Sequence, residues 1–222
     1  MANLNLQFWH VWPHMDALLK GALLTITLTV NASVIGLVVS LLGAYALMSG
    51  NKPAATFARA YVEVIRNTPF LVQLLFMYFA LPSIGIRLSA NEAALITMIM
   101  NFTGYTIEIL RGGIQAIPST QLDSAKSIGF SKVQTFIFVV APQAIRNTFP
   151  SLTSQFSLLL LGSSVVSAIS AEDLTAAANY IQSLNFRSFE VYLVTAGIYL
   201  SLTALCRITF ATVWHLAFRR WE

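Results

Sequence analysis

Long stretches without a charged residue divide this chain, and charged or polar residues mark their ends. The first stretch covers residues 21–51, between Lys20 and Lys52. An α-helix needs about 20 apolar residues to cross a bilayer. The first stretch is longer than that, so it predicts a spanning helix that is tilted or that protrudes from the membrane.

Four more stretches of this kind follow, at residues 67–86, 93–107, 147–171 and 191–206. In the second, Pro69 stands where a helix can begin and Pro82 where it can bend or stop. The third is long enough to span only if its helix runs on through Arg111, and the last continues past Arg207 to Phe218. The pattern predicts an all-α membrane protein with five transmembrane helices, forming a single domain over residues 1–222.

The composition agrees with a chain covered by lipid. Hydrophobic residues make up 56% of it and charged residues 10%, and the mean hydropathy is +0.70, whereas soluble domains carry about 25% charged residues. The net charge of +4 does not indicate nucleic-acid binding, because the basic residues are scattered at the ends of apolar stretches. The single cysteine, Cys206, has no partner in the chain for a disulfide and is expected to be an apolar helix residue.

The distribution of Lys and Arg predicts the orientation, because cytoplasmic loops are enriched in these residues. One side of the membrane would carry Lys52, Arg59, Arg66, Arg111, Lys126, Lys132, Arg146, Arg219 and Arg220, and the other only Lys20, Arg87 and Arg187. This predicts an external N-terminal segment over residues 1–20 and a cytoplasmic C-terminus. No cleavable signal peptide is expected, because the first apolar stretch is too long for one.

Catalytic and metal-binding functions find little support in the sequence. His10 and His14 have helical spacing but no third ligand near them, so no metal site is predicted. The apolar stretches lack the paired acids that an intramembrane enzyme would need. No phosphate-binding pattern G-x-x-x-x-G-K-[ST] occurs, so the chain is not expected to hydrolyse ATP itself.

The polar segment at residues 113–146, between the third and fourth spans, predicts a short helix over 121–128. Thr120 is the expected N-cap, and Gly129 the expected left-handed residue after the helix. Leu122 and Ala125 share one face of this helix. Two helical turns are marginal in water, so either the rest of the chain or a partner must hold them.

A second helix start follows at once. Ser131-x-x-Gln134 forms a capping box ahead of the apolar run FIFVVA. Pro142 is expected to end this helix, because a residue before proline avoids helical angles.

Four blocks of sequence resemble permease subunits of ATP-binding-cassette (ABC) importers for polar amino acids of the histidine, glutamine, glutamate and arginine type. Asp123-Ser124-Ala125, Gly129 and Val139-x-Ala141-Pro142 have the spacing of their EAA motif, Glu-Ala-Ala, three residues, Gly, nine residues, Ile-x-Leu-Pro. Only Ala125, Gly129 and Pro142 are identical to it. The segments 66–82 and 108–121 upstream, and 173–178 downstream, resemble the same family.

The resemblance implies one half of a pore in a bacterial cytoplasmic membrane, completed by an identical or related permease subunit. It also implies an external substrate-binding protein and a cytoplasmic ATPase dimer that binds the ATP and Mg²⁺, so this chain would bind no cofactor. The short helix between the third and fourth spans would be the coupling helix, docking through Leu122, Asp123, Ala125, Gly129 and Phe130. A non-transporting membrane scaffold or assembly factor is the alternative, and the EAA spacing favours the importer.

Polar residues within the spans are the candidates for a substrate path: Gln73, Asn101, Gln155 and Ser163. The alternative for each is a hydrogen bond between helices. Many members of the resembled family carry a charged or amide residue before a Thr-Ser pair in the fourth span, where this chain has Leu161 and Gly162. By the same resemblance, Arg66, Glu108 and Arg111 are expected near an inner gate.

Overall fold

The computed structural model of the protein describes residues 6–218, and all regular elements among these are helical. The α-helices are α1 Met15–Met48, α2 Lys52–Arg66, α3 Phe70–Leu75, α4 Ala90–Gln115, α5 Ser119–Ser127, α6 Lys132–Thr135, α7 Ala141–Gly162, α8 Leu174–Asn185 and α9 Ser188–Phe218. Two 3-10 turns, Phe8–His10 and Trp12–His14, lead into α1. Arg219 and Arg220, which entered the charge count, lie outside the described residues.

Helix α1 is long, as the sequence predicts. Its 34 residues correspond to about 51 Å at 1.5 Å per residue, well beyond the hydrocarbon thickness of about 30 Å. It packs most extensively against α4, and a Cβ atom at Gly36 would stand 2.8 Å from Cδ1 of Phe102. Small residues at this contact let the helices approach closely, which is how helices associate in lipid.

The predicted second span, residues 67–86, is joined to a preceding helix at a sharp bend. α2 ends at Arg66, and a second helical segment, Phe70–Ile84, leaves it at an angle of 105°. This segment consists of α3, a π-helical turn at Phe76–Ala80 and a 3-10 turn at Leu81–Ile84. Within residues 6–218, four helices are individually long and apolar enough to span, and the total reaches the predicted five when the bent pair counts as one.

A glutamine side chain stabilises this bend. Nε2 of Gln73 donates to the backbone oxygen of Ile65 at 2.9 Å and to Oγ1 of Thr68 at 2.7 Å. Pro69 caps α3 in an extended conformation, as the sequence suggested. The amide therefore satisfies polar groups that the break in the helix leaves open, which would otherwise be costly to bury.

α4 and α9 follow their predictions. α4 runs from Ala90 through Arg111 to Gln115, and it opens with a capping box between Ser89 and Glu92. α9 continues past Arg207 to Phe218. The third and fifth spans are thus single helices.

The segment after α4 is helical, but its boundaries differ from those expected. α5 begins at Ser119 after the extended Pro118, so Thr120 lies inside the helix and is not its N-cap. Gly129 has φ +84°, the left-handed conformation predicted for it. Proline already lacks the N–H that a first helical turn leaves unpaired, and its fixed geometry favours the start of a helix close by.

The prediction that Pro142 ends the following helix is wrong. α6, a π-helical turn at Phe136–Val140, α7 and a 3-10 segment at Ser163–Ile169 form one continuous rod, Lys132–Ile169. Pro142 lies in the first turn of α7, directly after the π turn. The wider turn relieves the clash that a proline ring makes with the carbonyl four residues earlier in a regular helix.

Helix α8 was not predicted. Its N-cap is Asp173, which accepts a hydrogen bond from the backbone N–H of Ala176 at 2.9 Å. The other carboxylate oxygen accepts from the Tyr199 hydroxyl at 3.2 Å, and the N–H of Leu174 donates to Oγ1 of Thr25 at 3.2 Å. These bonds join the start of α8 to α1 and α9.

Candidate functional site

A cleft of about 570 Å³ opens where the break between α2 and α3 faces α4 and α7. Its walls are formed by Arg66, Asn67, Thr68, Pro69, Phe70, Asn101, Tyr105, Gln155, Leu158, Leu159, Gly162 and Val165. A pocket for a small polar molecule typically measures about 300–1,000 Å³ and combines an apolar wall with a few polar groups. This cleft fits that description.

Three of the four substrate-path candidates meet at this cleft. Asn101 and Gln155 line it, and Nδ2 of Asn101 donates to Oε1 of Gln73 at 3.3 Å. Gln73 lies behind the wall, because its own Nε2 is engaged by the bend between α2 and α3. Ser163 is not part of the cleft: it is buried, and its hydroxyl donates to the carbonyl of Leu160 at 2.7 Å.

Gln155 is the amide with unused bonding capacity. Its side chain is mostly buried at the cleft and makes no hydrogen bond to any residue in the described range 6–218. The amide is open to the cleft, so water or a polar ligand there can bond to it.

The three residues expected near a gate are in contact with one another. Nε of Arg111 donates to Oε2 of Glu108 at 2.9 Å, and Nη1 of Arg66 lies 3.9 Å from Oε1 of the same carboxylate. The Arg66 guanidinium also stands over the ring of Tyr105, 5.7 Å from its centroid. All three charged side chains are partly exposed, so the ion pairs contribute at most about 1 kcal/mol each.

This cluster carries two positive charges and one negative charge. Arg66 both belongs to it and lines the cleft. The excess positive charge lies next to the amides of Asn101 and Gln155. The cleft therefore presents a guanidinium suited to a carboxylate, and amides suited to uncharged polar groups.

The short helix α5 is held by the chain itself. Ala125 is 3% exposed, and Leu122 packs on a cluster formed by Ala44, Leu110, Ile117, Phe136, Val140 and Ala144. The N–H of Phe130 donates to the carbonyl of Ala125 and the N–H of Gly129 to that of Lys126, which is a Schellman motif. The apolar face on which a partner was expected to dock is thus covered by the protein's own helices.

The opposite side of α5 is open to solvent. Asp123 and Lys126 form an exposed ion pair at 3.1 Å, and Ile128 is 70% exposed. Phe130 is half-buried, with its ring 6.2 Å from that of Phe138. Among the residues expected to dock, Asp123, Gly129 and Phe130 remain accessible.

A lysine joins this segment to the first span. Nζ of Lys132 donates to the carbonyl of Ser49, just after the end of α1, at 3.0 Å. The capping box between Ser131 and Gln134 is present, as the sequence predicts. The start of the long rod, directly after α5, is therefore fixed to the end of α1, and the same rod carries Gln155 at the cleft wall.

Comparison with known proteins decides the family. The family described as the inner membrane component of binding-protein-dependent transport systems matches residues 32–219. The chain belongs to this family. A member of it is a multi-pass inner-membrane component of a transport system, which agrees with the apolar helices of the structure.

Two curated members of the family illustrate the similarity. The glutamine transport system permease protein GlnP of Escherichia coli (strain K12) is 33% identical over 195 residues, covering 87% of this chain and 89% of its own length. The nopaline transport system permease protein NocM of Agrobacterium fabrum (strain C58) is 32% identical over 210 residues, covering 90% and 87%.

Solved structures show the same fold. A chain in the crystal structure of an amino acid ABC transporter with histidines is 36% identical, with a TM-score of 0.84 and coverage of 98% of this chain and 100% of that chain. A chain of the inward-facing MetNI methionine ABC transporter has a TM-score of 0.77 at 20% identity, covering 90% and 96%. The second likeness concerns the fold alone.

The sequence did not reveal the whole cleft. Asn67, Thr68 and Tyr105 line it but were not among the candidates. The signal available for the first two was a polar pair directly before a proline, where a helix breaks and side chains turn toward a cavity. Tyr105 carried no such signal, because an aromatic residue in a span most often packs in the core.

Proposed function

We propose that this chain forms one half of the pore of an ATP-driven importer for polar amino acids. An identical or related permease would form the other half. A cytoplasmic ATPase dimer would bind and hydrolyse ATP with Mg²⁺, and an external binding protein would deliver the substrate. Family membership and the similarity to glutamine and amino acid transporters support this function over that of a scaffold.

The observation that carries the proposal is the combination of groups at the cleft. Arg66 would bind the substrate carboxylate, while the free amide of Gln155 and the neighbouring Asn101 would bind its polar side chain or amino group. Leu158, Val165 and Gly162 form the apolar part of the wall. A zwitterion with a polar side chain matches this set of donors and acceptors.

The test is uptake by the complete complex in proteoliposomes, supplied with glutamine, histidine, arginine, glutamate and leucine in turn. Gln155→Leu should reduce uptake of the preferred polar amino acid by about tenfold, since a lost hydrogen bond of this kind is worth about 1–2 kcal/mol. Gln182→Leu, on α8 and away from the cleft wall, should transport normally. Unchanged uptake in Gln155→Leu would place the substrate path elsewhere.

The ATPase would dock on the exposed side of residues 120–130. Asp123, Gly129 and Phe130 would contact it together with Ile128, while Leu122 and Ala125 support the helix from behind. Ile128→Glu should then reduce co-purification of the ATPase, because a carboxylate would be buried without a partner. Ser119→Glu adds the same charge at the favourable start of the same helix and should retain the ATPase. Equal recovery with both variants would contradict this docking surface.

The proposed orientation places the N-terminus outside and α5 in the cytoplasm. In a Cys206→Ser background, an impermeant thiol reagent applied to intact cells should label Ser183→Cys on α8 and spare Ser119→Cys on α5. Both positions are exposed and lie at opposite ends of the spans. Labelling of Ser119→Cys from outside would show that the orientation is the opposite of the one proposed.

A further inference from the structure

A second groove, of about 620 Å³, lies between α7 and α9 and is separate from the residues that line the cleft, except for Leu158. It is lined by Phe149, Pro150, Thr153, Ser154, Ser157, Leu158, Leu161, Thr203, Arg207, Phe210, Ala211, Trp214 and His215. Arg207 stands out in this list. It is an exposed arginine in the interior of α9, far from the charged Glu190 in the first turn of that helix, and a charge within a span requires a specific reason.

The position of Arg207 along α9 places it at a membrane boundary. It lies 19 residues after the first residue of the helix, Ser188, or about 28 Å along the axis. The hydrocarbon layer is about 30 Å thick, so a helix that enters at Ser188 brings Arg207 to the opposite edge of that layer. Trp214 and His215 follow about 10–12 Å further on, at the level of the headgroups, where tryptophan is enriched.

The charges of the groove favour an anion. Its lining includes Arg207 and His215 but no Asp or Glu, and no carboxylate within residues 6–218 forms an ion pair with Arg207. The hydroxyls of Thr153, Ser154, Ser157 and Thr203 donate to carbonyls of their own helices. The guanidinium, with its five N–H donors, is therefore the main group available to an anionic ligand.

The other end of the groove is apolar. Leu158 and Leu161 are 63% and 45% exposed and lie on α7 toward the middle of the membrane. Phe210 forms part of the floor, with its ring centroid 6.3 Å from that of Phe149 and 5.0 Å from that of Phe156. A groove that is basic at one end and apolar along its length has the polarity of a phospholipid.

We propose that this groove binds an anionic phospholipid. Its phosphate would pair with Arg207 at the edge of the hydrocarbon layer, and its acyl chains would lie along Leu161 and Phe210. Basic pockets between helices at the level of the headgroups are suited to such lipids. In the orientation proposed above, the lipid belongs to the cytoplasmic leaflet.

The test is native mass spectrometry of the purified, delipidated importer complex, titrated with phosphatidylglycerol or with phosphatidylcholine. The wild-type complex should bind phosphatidylglycerol more tightly than phosphatidylcholine. Arg207→Gln should weaken that binding by about fivefold, the contribution expected of one basic residue at a membrane surface, and leave phosphatidylcholine binding unchanged. Arg59→Gln is the control, because Arg59 is an exposed arginine of α2 outside the groove. Inorganic phosphate at millimolar concentration should not displace the lipid.

Two outcomes would overturn the assignment. In the first, Arg207→Gln binds phosphatidylglycerol as tightly as the wild type does. In the second, a cysteine introduced as Ser157→Cys in the Cys206→Ser background is cross-linked to the second permease subunit, which would make the groove a contact between subunits. Lipid binding is measured without transport, so its failure is distinguishable from a failure of the proposed function.

Discussion

Replacing Gly162 with leucine should obstruct the cleft without weakening the fold. Gly162 is the last residue of α7, has helical angles (φ −67°, ψ −21°) and lines the cleft. A Cβ atom built there meets no heavy atom within 4 Å, so the new side chain would enter open space. A helical glycine costs about 1 kcal/mol relative to alanine, and leucine is nearly as favourable as alanine. Thermal stability should therefore hold or rise slightly.

The expected effect on transport has the opposite sign. Leucine places four carbon atoms where substrate would pass, and a single methylene in a fitted pocket is worth about 1–3 kcal/mol, or roughly 10–200-fold in rate. Uptake by Gly162→Leu should fall at least tenfold, with Gly162→Ala between it and the wild type. The assay is initial uptake by the reconstituted complex at matched protein, combined with gel filtration after heating to measure stability.

Gly197→Leu is the matched control for this variant. Gly197 is an exposed glycine of α9, away from the cleft, and a Cβ there also meets nothing within 4 Å. It should transport at the wild-type rate. If Gly162→Leu does so as well, or if both variants lose uptake equally, the cleft is not the translocation path.

Three further substitutions test the packing, the proposed coupling role of α5 with Gly129, and the cap of α8. Gly113→Ala should destabilise the chain by about 1–3 kcal/mol, because its Cβ would stand 2.5 Å from Cγ2 of Thr148 and 2.8 Å from the backbone oxygen of Ala144. In the control Gly112→Ala, the new Cβ meets no heavy atom within 4 Å. Its heat stability in gel filtration should be unchanged. Gly129→Val forces a β-branched residue to φ +84°, at a cost of about 1–2 kcal/mol. This variant should remain in the membrane but should uncouple ATP hydrolysis from uptake. Gly129→Asn should retain coupling, since asparagine tolerates this conformation. Asp173→Ala should lower the unfolding free energy in detergent by about 1 kcal/mol through loss of the cap. Asp173→Asn should leave the unfolding free energy nearly unchanged, because asparagine also caps helices. In addition, burial already raises the pKa of Asp173, which opposes its charged form.

The sequence predicted the spanning helices well where hydropathy alone decides. It recovered α1, α4 and α9 because each is a long apolar run with charges at its ends. It failed for the bend between α2 and α3, because hydropathy reports how much of a segment is apolar but not the angle between two helices. The local proline rule failed at Pro142, because a π-helical turn directly precedes it.

Two helices outside the apolar runs had signals that could have been used. Asn51 caps α2 by accepting from the N–H of Ala54, with Pro53 in the first turn, and Asp173 caps α8. Both are N-cap residues followed by a run of helix-forming residues. The sign that these segments are helical was local, and it was present in the chain.

The sequence indicated residue types for the candidate site but not their contacts. Asn101 and Gln155 were chosen because polar side chains in spans are rare, and their role in a substrate path stays a prediction. That Gln73 serves the bend, and that Ser163 bonds to its own helix, depends on how each helix is rotated about its axis. Rotation is fixed by packing between distant segments, which a single sequence does not display.

The π-helical turn at Phe136–Val140 is a place where the number of residues in the rod Lys132–Ile169 can change. About 36 Å of unbroken helix separate Ser131, four residues after the end of α5, from Gln155 at the cleft. In a regular α-helix each residue advances the side-chain direction by about 100°. A residue lost between Pro150 and Gln155 would therefore rotate the Gln155 amide away from the cleft. A π turn holds about one residue more than an α turn. Losing one residue there, together with replacement of Pro142, whose ring would otherwise clash in a regular turn, would convert it to a regular turn and leave the angular phase of Gln155 and Gly162 unchanged. Among the turns of this rod, Phe136–Val140 is therefore where evolution can change the residue count without rotating the cleft.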